Sequence, residues 1–115
     1  MPTVTPKQLV QGMLLDDSAP GAPGLYRCSL SITAAVIRSM TLHNVDNSSH
    51  DVEVYVVASG DAEGNENRII KATLEADGTL PDETLRVLAP GDYLSAFADA
   101  ANVIAFRADG SEVSA

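Results

Sequence analysis

From Leu25 to Arg107 the apolar positions fall into short alternating runs separated by turn residues, and no stretch of ten or more carries the i, i+3, i+4, i+7 spacing of an amphipathic helix. Alternation with a period of two predicts strands over 25–29, 34–44, 51–58, 68–73, 84–87, 93–98 and 102–107. Val52, Val54, Val56 and Ala58 form one parity of a strand whose other face carries Glu53, Tyr55 and Val57. Within 34–44 the apolar set changes phase, from Ala35 and Ile37 to Met40 and Leu42, which predicts a β-bulge near Arg38-Ser39. The intervening segments have turn chemistry: 44–50 is rich in Asn, Asp and Ser, 60–67 in Gly, Asp, Glu and Asn, and Asp77-Gly78 and Pro90-Gly91 are tight-turn pairs. Many short strands with turns between them predict an all-β fold, a single antiparallel β-sandwich of about seven to eight strands, jelly-roll or immunoglobulin-like. Its core is expected to hold Val52, Val54, Val56, Met40, Leu42, Leu94, Ala96 and either Val103 or Ile104.

Residues 1–24 read differently, with four of the chain's six prolines among them. They are expected to form an N-terminal arm, followed by the sandwich over 25–108 and a fraying tail over 109–115. Thr5-Pro6-Lys7-Gln8 has the form of a capping box with proline at the first helical position, and Gly12 supplies a stop, so a short helix is predicted over 6–11. A helix of that length needs a surface to pack against. Leu9, Val10, Met13 and Leu14 are therefore expected to bind a neighbour, and the arm to be loosely docked in an isolated subunit and dispensable for folding.

Charge and chemistry narrow the function more by exclusion than by motif. The 115 residues carry 16 Asp and Glu against 7 Lys and Arg, a formal charge of −9, which speaks against nucleic-acid binding by phosphate neutralisation. No apolar run is long enough to cross a bilayer as a helix, so no membrane partner is expected, nor is a secretory signal apparent at the start. The single cysteine, Cys28, sits among apolar residues and reads as a small buried hydrophobe. His43 and His50 with Asp46 and Asp51 are the one combination resembling a transition-metal set, and 61–67 gathers oxygen donors near Gly64, but neither has a known metal-site spacing or the order of a calcium loop. Both read as solvated turns, and no metal or other cofactor is expected. No phosphate loop or nucleophile with its base is recognisable, so the chain is not expected to be an enzyme. From Ser39 through Asn67 there is no Lys or Arg while six acids fall in the interval, so an anionic face is predicted, with Glu63 and Glu66 as candidate contacts for a basic partner.

The order of these features carries a resemblance. Leu25-Tyr26, Met40-Thr41-Leu42-His43-Asn44, Val52-Glu53-Val54-Tyr55-Val56, Arg68-Ile69-Ile70, the Leu74 to Gly78 turn and Leu88-Ala89-Pro90-Gly91-Asp92-Tyr93-Leu94-Ser95-Ala96 follow one another as in small β-sandwich virion proteins of tailed bacteriophages and prophages. The chain departs from that group at Arg27 to Ile32, where a Pro-Ala-Gly turn is common. The resemblance implies a virion structural protein assembled in the host cytoplasm, a capsid decoration or cement protein bound to the major capsid protein or other virion proteins. It also implies a homo-oligomer, with a trimer favoured. A neck, tail or fibre-base component is the alternative within the virion, and a carbohydrate- or ion-binding module is the alternative outside it. The latter requires an exposed aromatic platform drawn from Tyr26, Tyr55, Tyr93, Phe97 and Phe106.

Overall fold

A computed structural model describes residues 2–115 and contains nine strands. In chain order these are β1 (Thr3–Leu14), β2 (Tyr26–Arg27), β3 (Ala34–Asn44), β4 (His50–Val57), β5 (Arg68–Leu74), β6 (Thr79–Asp82), β7 (Arg86–Leu88), β8 (Tyr93–Ala98) and β9 (Ile104–Ser114). Strands β1, β9, β3 and β6 lie side by side in one sheet, with β7 pairing β3 beyond the end of β6; β2, β8, β4 and β5 make the other. Every pairing is antiparallel. The two sheets face each other across one apolar core, the arrangement of a β-sandwich. The molecule is drawn out to 49 × 26 × 19 Å because β1, β3 and β9 are each 11 or 12 residues long.

The core follows from the pattern. Met40, Leu42, Val52, Val54, Leu94, Ala96 and Ile104 are buried as expected, joined by Ile37, Leu88, Phe106 and Ala108, while Val56 and Val103 lie at its margin. The bulge in β3 is where the phase change places it: the register with β9 slips between Ile37 and Ser39, so that Ala35 and Ile37 before it and Met40 and Leu42 after it all point inward. Gly110 of β9 lies opposite Ile37, and a Cβ there would overlap the Val36 carbonyl oxygen, so the bulge requires a residue without a side chain.

Two expectations fail, both at the chain ends. No helix forms over 6–11. Residues 3–14 instead pair with β9 from Thr3 opposite Ser114 to Leu14 opposite Ala105. The register of this pair slips between Gln8 and Val10 and again between Val10 and Met13. Those irregularities convert a two-residue alternation into the spacing of Leu9, Val10, Met13 and Leu14, which imitates a helix. A twelve-residue ladder outweighs a local capping signal, since context overrides propensity. Nor is 109–115 a tail, because β9 runs to Ser114 between β1 and β3.

Strand β1 is nevertheless an edge, and it is blunted as exposed edges usually are. It carries Pro6, which has no N–H to offer, and two breaks in register. It is also fastened to the core. Lys7 Nζ donates to Glu112 of β9 at 3.2 Å, and the Tyr26 hydroxyl from the opposite sheet donates to the same carboxylate. On the other edge Asp82 joins β6 to β7, accepting from the Thr84 amide at 2.8 Å and from Arg86 at 3.1 Å.

Candidate interaction surface

Residues directly opposite in a ladder share a face, so the registers of β1, β9, β3 and β7 define what the first sheet turns outward. Ala35, Ile37 and Leu88 point into the core, which leaves Val4, Val113 and Ala34 as one outward row and Pro6, Ser111, Val36 and Val87 as the next. None of the seven carries a charge; Val4 and Val87 are 56% and 62% exposed, whereas Ser111 between them is buried, its hydroxyl without a hydrogen-bond partner. Leu85, just before β7, is 59% exposed as well. Further along the same face the surface turns polar. A shallow groove of about 470 Å³ is lined by Gly12, Thr41, His43, Ala105, Phe106, Arg107 and Asp109. Its charged groups are largely spent on neighbours: Arg107 donates to Asp109 at 3.0 Å, and His43 shares a 2.7 Å hydrogen bond with Thr79 and lies 3.8 Å from Asp77.

The second sheet dresses its outer face. Tyr55 and Phe97, on neighbouring strands β4 and β8, stack with ring centroids 5.8 Å apart and planes 8° from parallel, beside Tyr93 and Val57. The loop 58–67 folds back over this cluster and is held by Glu63, which accepts from the Ser95 hydroxyl at 2.6 Å, the Gly21 amide at 3.0 Å and the Tyr93 hydroxyl at 3.4 Å. Burial pushes the Glu63 carboxyl upward, but these donors outweigh it, and its pKa lies below the ordinary glutamate value. Glu53 completes the cover by accepting from Arg68 at 3.0 Å and from the Tyr55 hydroxyl at 2.9 Å.

The residues expected to bind a partner therefore do not form one site. Leu9 and Val10 are core residues, 7% and 4% exposed, and cannot meet a neighbour. Met13 and Leu14 remain open at the β1 edge. Glu63 is engaged within its own chain, whereas Glu66 is exposed on the loop over the second sheet. Val4, Val36, Val87 and Val113 were not among the expected contacts, although the unbroken apolar run Ala34 to Ile37 is the signal of a strand with two apolar faces.

Other candidates resolve into separate contacts. His43 and His50 have different partners, Thr79 and Asp77 for the first and Asp46 and Asp99 for the second, and Asp51 takes the Thr73 hydroxyl at 2.6 Å. Among the described residues no three His, Cys, Asp or Glu side chains come together in a way that would hold a metal ion. In 61–67, Asn67 closes its own turn, accepting from the Gly64 amide and donating to the Ala62 carbonyl. Cys28 is fully buried, and burial raises its thiol above the ordinary value, the opposite of what a nucleophile needs. Of the five aromatics, Tyr55, Tyr93 and Phe106 are buried and Tyr26 and Phe97 half-buried, so they do not make an exposed platform. No helix among the described residues is long and apolar enough to cross a membrane. Compared with protein-family models, curated proteins and solved structures, the chain matches none.

Proposed function

We propose that this chain is a structural subunit of a tailed-phage virion, a decoration or cement protein that seats the uncharged outer face of its first sheet on the capsid shell and acts as a homo-oligomer, a trimer being the favoured state. Its work is adhesion rather than catalysis. One observation carries the reading. In a chain of net charge −9, the two outward rows from Val4 to Val87 contain no charged side chain and end in the exposed Val4 and Val87, and exposed apolar side chains on an uncharged face of a small protein mark a place where another protein sits. Long strands make that face a stiff plate, suited to repeated contact with a lattice. The partner is the major capsid protein, with other virion proteins as the next choice, and the order of sequence motifs supplies the phage assignment.

Counting the subunit in purified particles tests the proposal directly. Hundreds of copies per particle, lost together with shell stability, are the expected result. A dozen or fewer would move the chain to the neck or tail, and its presence only in the soluble lysate would overturn the reading.

A further inference from the structure

At the end of the sandwich away from the bare apolar rows, one imidazole stands between two carboxylates. His50, the first residue of β4, has Asp99 Oδ1 at 2.7 Å from Nδ1 and Asp46 Oδ2 at 2.7 Å from Nε2, and its side chain is 15% exposed. Both partners are acceptors and only acceptors when ionised, whereas a neutral imidazole has a single N–H to donate. The two carboxylate contacts are therefore both hydrogen bonds only when both ring nitrogens carry protons, although the Ser48 hydroxyl also lies 3.4 Å from Nε2. We propose that His50 is a proton-operated latch: doubly protonated, it pins the β3–β4 loop to the β8–β9 turn, and on losing a proton it releases the loop.

Which contact is lost follows from how each carboxylate is anchored. Asp99 is built into the ladder end, its amide donating to the Asp51 carbonyl at 3.0 Å and its Oδ2 accepting the Asp51 amide at 3.0 Å. Asp46 has weaker tethers of its own: beyond His50, its carboxylate takes only the Ser48 hydroxyl at 3.2 Å and the adjoining Asn47 amide. The neutral ring thus keeps its Nδ1 proton on Asp99 and turns a lone pair toward Asp46, which repels it. Residues 44 and 45 stay fixed, because the buried Asn44 amide group donates to the Leu74, Glu75 and Ser48 carbonyls and the Val45 amide donates to the Val103 carbonyl. The Asp46 amide also donates to Asn44 Oδ1 at 2.9 Å, so what the lost proton frees is the Asp46 carboxylate and, with it, the exposed tip 47–49, which is then held only at the Ser48 carbonyl.

The charged groups around the ring are all acidic. Beside Asp46 and Asp99 stands Asp51, next along β4 and bonded to Thr73 of β5; Leu74 lies directly opposite His50, and Asp77 from the β5–β6 turn donates its amide to the Asp46 carbonyl. Among the described residues no lysine or arginine pairs with Asp46, Asp51 or Asp99. The hydrogen bonds to Asp46 and then to Asp99 raise the His50 pKa above the ordinary histidine value against a smaller cost of burial, and bonding to His50 helps hold both carboxyls below theirs. The signs fix the working range. The histidine contribution is complete below about 6.5, the unfolded value, and is lost as pH rises through the raised folded one; the carboxylate contributions are complete above about 3.9 and are lost as pH falls through the depressed ones. The latch is shut between those limits and opens on the alkaline side.

Titration of the full chain by NMR tests this. The expected midpoint for the His50 ring lies above about 6.5, each unit above meaning a tenfold tighter hold on the proton. Below it, both ring nitrogens should show attached protons, and the order of the Asp46 side chain and of residues 47–49 should fall as pH rises through the same midpoint. His50→Gln should abolish that pH dependence without unfolding the chain. Asp46→Asn separates the latch from a merely structural bond, since its amide can donate to the neutral ring, so its loop should stay ordered above the midpoint while that midpoint drops. A midpoint at or below about 6.5, a loop whose order ignores the titration, or an Asp46→Asn loop that still loosens would each overturn the proposal.

Discussion

The two sheets of this protein share one core but finish their outer faces in different ways. The β2-β8-β4-β5 sheet covers its outward aromatics with a loop of its own chain, fastened by Glu63 to Ser95, Gly21 and Tyr93. The other sheet leaves Val4 and Val87 bare. Apolar surface that a chain can cover it usually covers, because each square ångström removed from water contributes on the order of 25 cal/mol. Where the same chain folds a loop back over one sheet and not over the other, the uncovered face is the one available to a second molecule. Changes in the shared core test how far the two sheets depend on one another, and changes on the outer faces test whether their difference matters.

The largest effect belongs to removal of residues 1–15. This segment supplies Leu9, Val10 and Leu15 to the core and covers one side of β9, the strand that supplies Phe106 and Ile104. Full burial of each such side chain is worth about 1.5–3 kcal/mol, and a domain has only about 5–15 kcal/mol in all. The truncated chain should lose its cooperative thermal transition by circular dichroism. A truncated chain that melts like the full one would show that β1 is an appendage, as the proline-rich sequence had suggested.

Within the core, Phe106→Ala should cost about 3–5 kcal/mol and Leu42→Ala about 2–5 kcal/mol in chemical denaturation. Gly110→Ala belongs in the same range, above about 2 kcal/mol, since the added carbon can be accommodated only by moving the Val36 backbone at the bulge. A Gly110→Ala protein of unchanged stability would mean that β3 and β9 can slide past the bulge and that the outward rows are not held in register.

What the sequence made legible was local alternation with a buried partner. The bulge at Arg38 and the limits of β3 and β8 follow from residue parity alone. β1 and the end of β9 were not legible, because each is a strand only by virtue of the other: Thr5-Pro6-Lys7-Gln8 satisfies a helix start and Gly110 to Ala115 looks frayed until the two are laid side by side. β6 was missed because Pro81 argues against a strand, and the residue is tolerated on an edge. Glu63 read as a solvated acid because nothing nearby in the chain reveals that Ser95 and Gly21 will meet it.

A middle-sized effect tests the cover over the second sheet. Glu63→Ala removes the acceptor that ties the loop to Ser95 and should cost about 1–2 kcal/mol, the range for charge-assisted hydrogen bonds at a partly open site. Because the folded pKa of Glu63 is depressed, its contribution is present above the unfolded value of about 4.3 and is lost as pH falls through the folded one. Glu63→Gln should therefore flatten the acid limb of the stability curve. An acid limb identical to that of the native chain would show that the loop lies over the sheet without being held there.

The smallest effect on folding is expected on the bare sheet, and there the two faces part most clearly. Val87 is 62% exposed at the end of an outward row, so Val87→Asp should change stability by no more than about 0.5 kcal/mol, as surface substitutions usually do. Glu66→Lys, on the exposed loop over the other sheet, should be equally mild. The two variants diverge in association. A buried unpaired carboxylate is costly at an apolar contact, so Val87→Asp should abolish attachment to undecorated particles, while Glu66→Lys should alter at most the salt dependence of the attachment rate. Sedimentation and binding to particles at two salt concentrations decide the matter. Equal behaviour of both variants would remove the distinction between a covered and an uncovered face, and loss of attachment only with Glu66→Lys would transfer the docking role to the acidic loop.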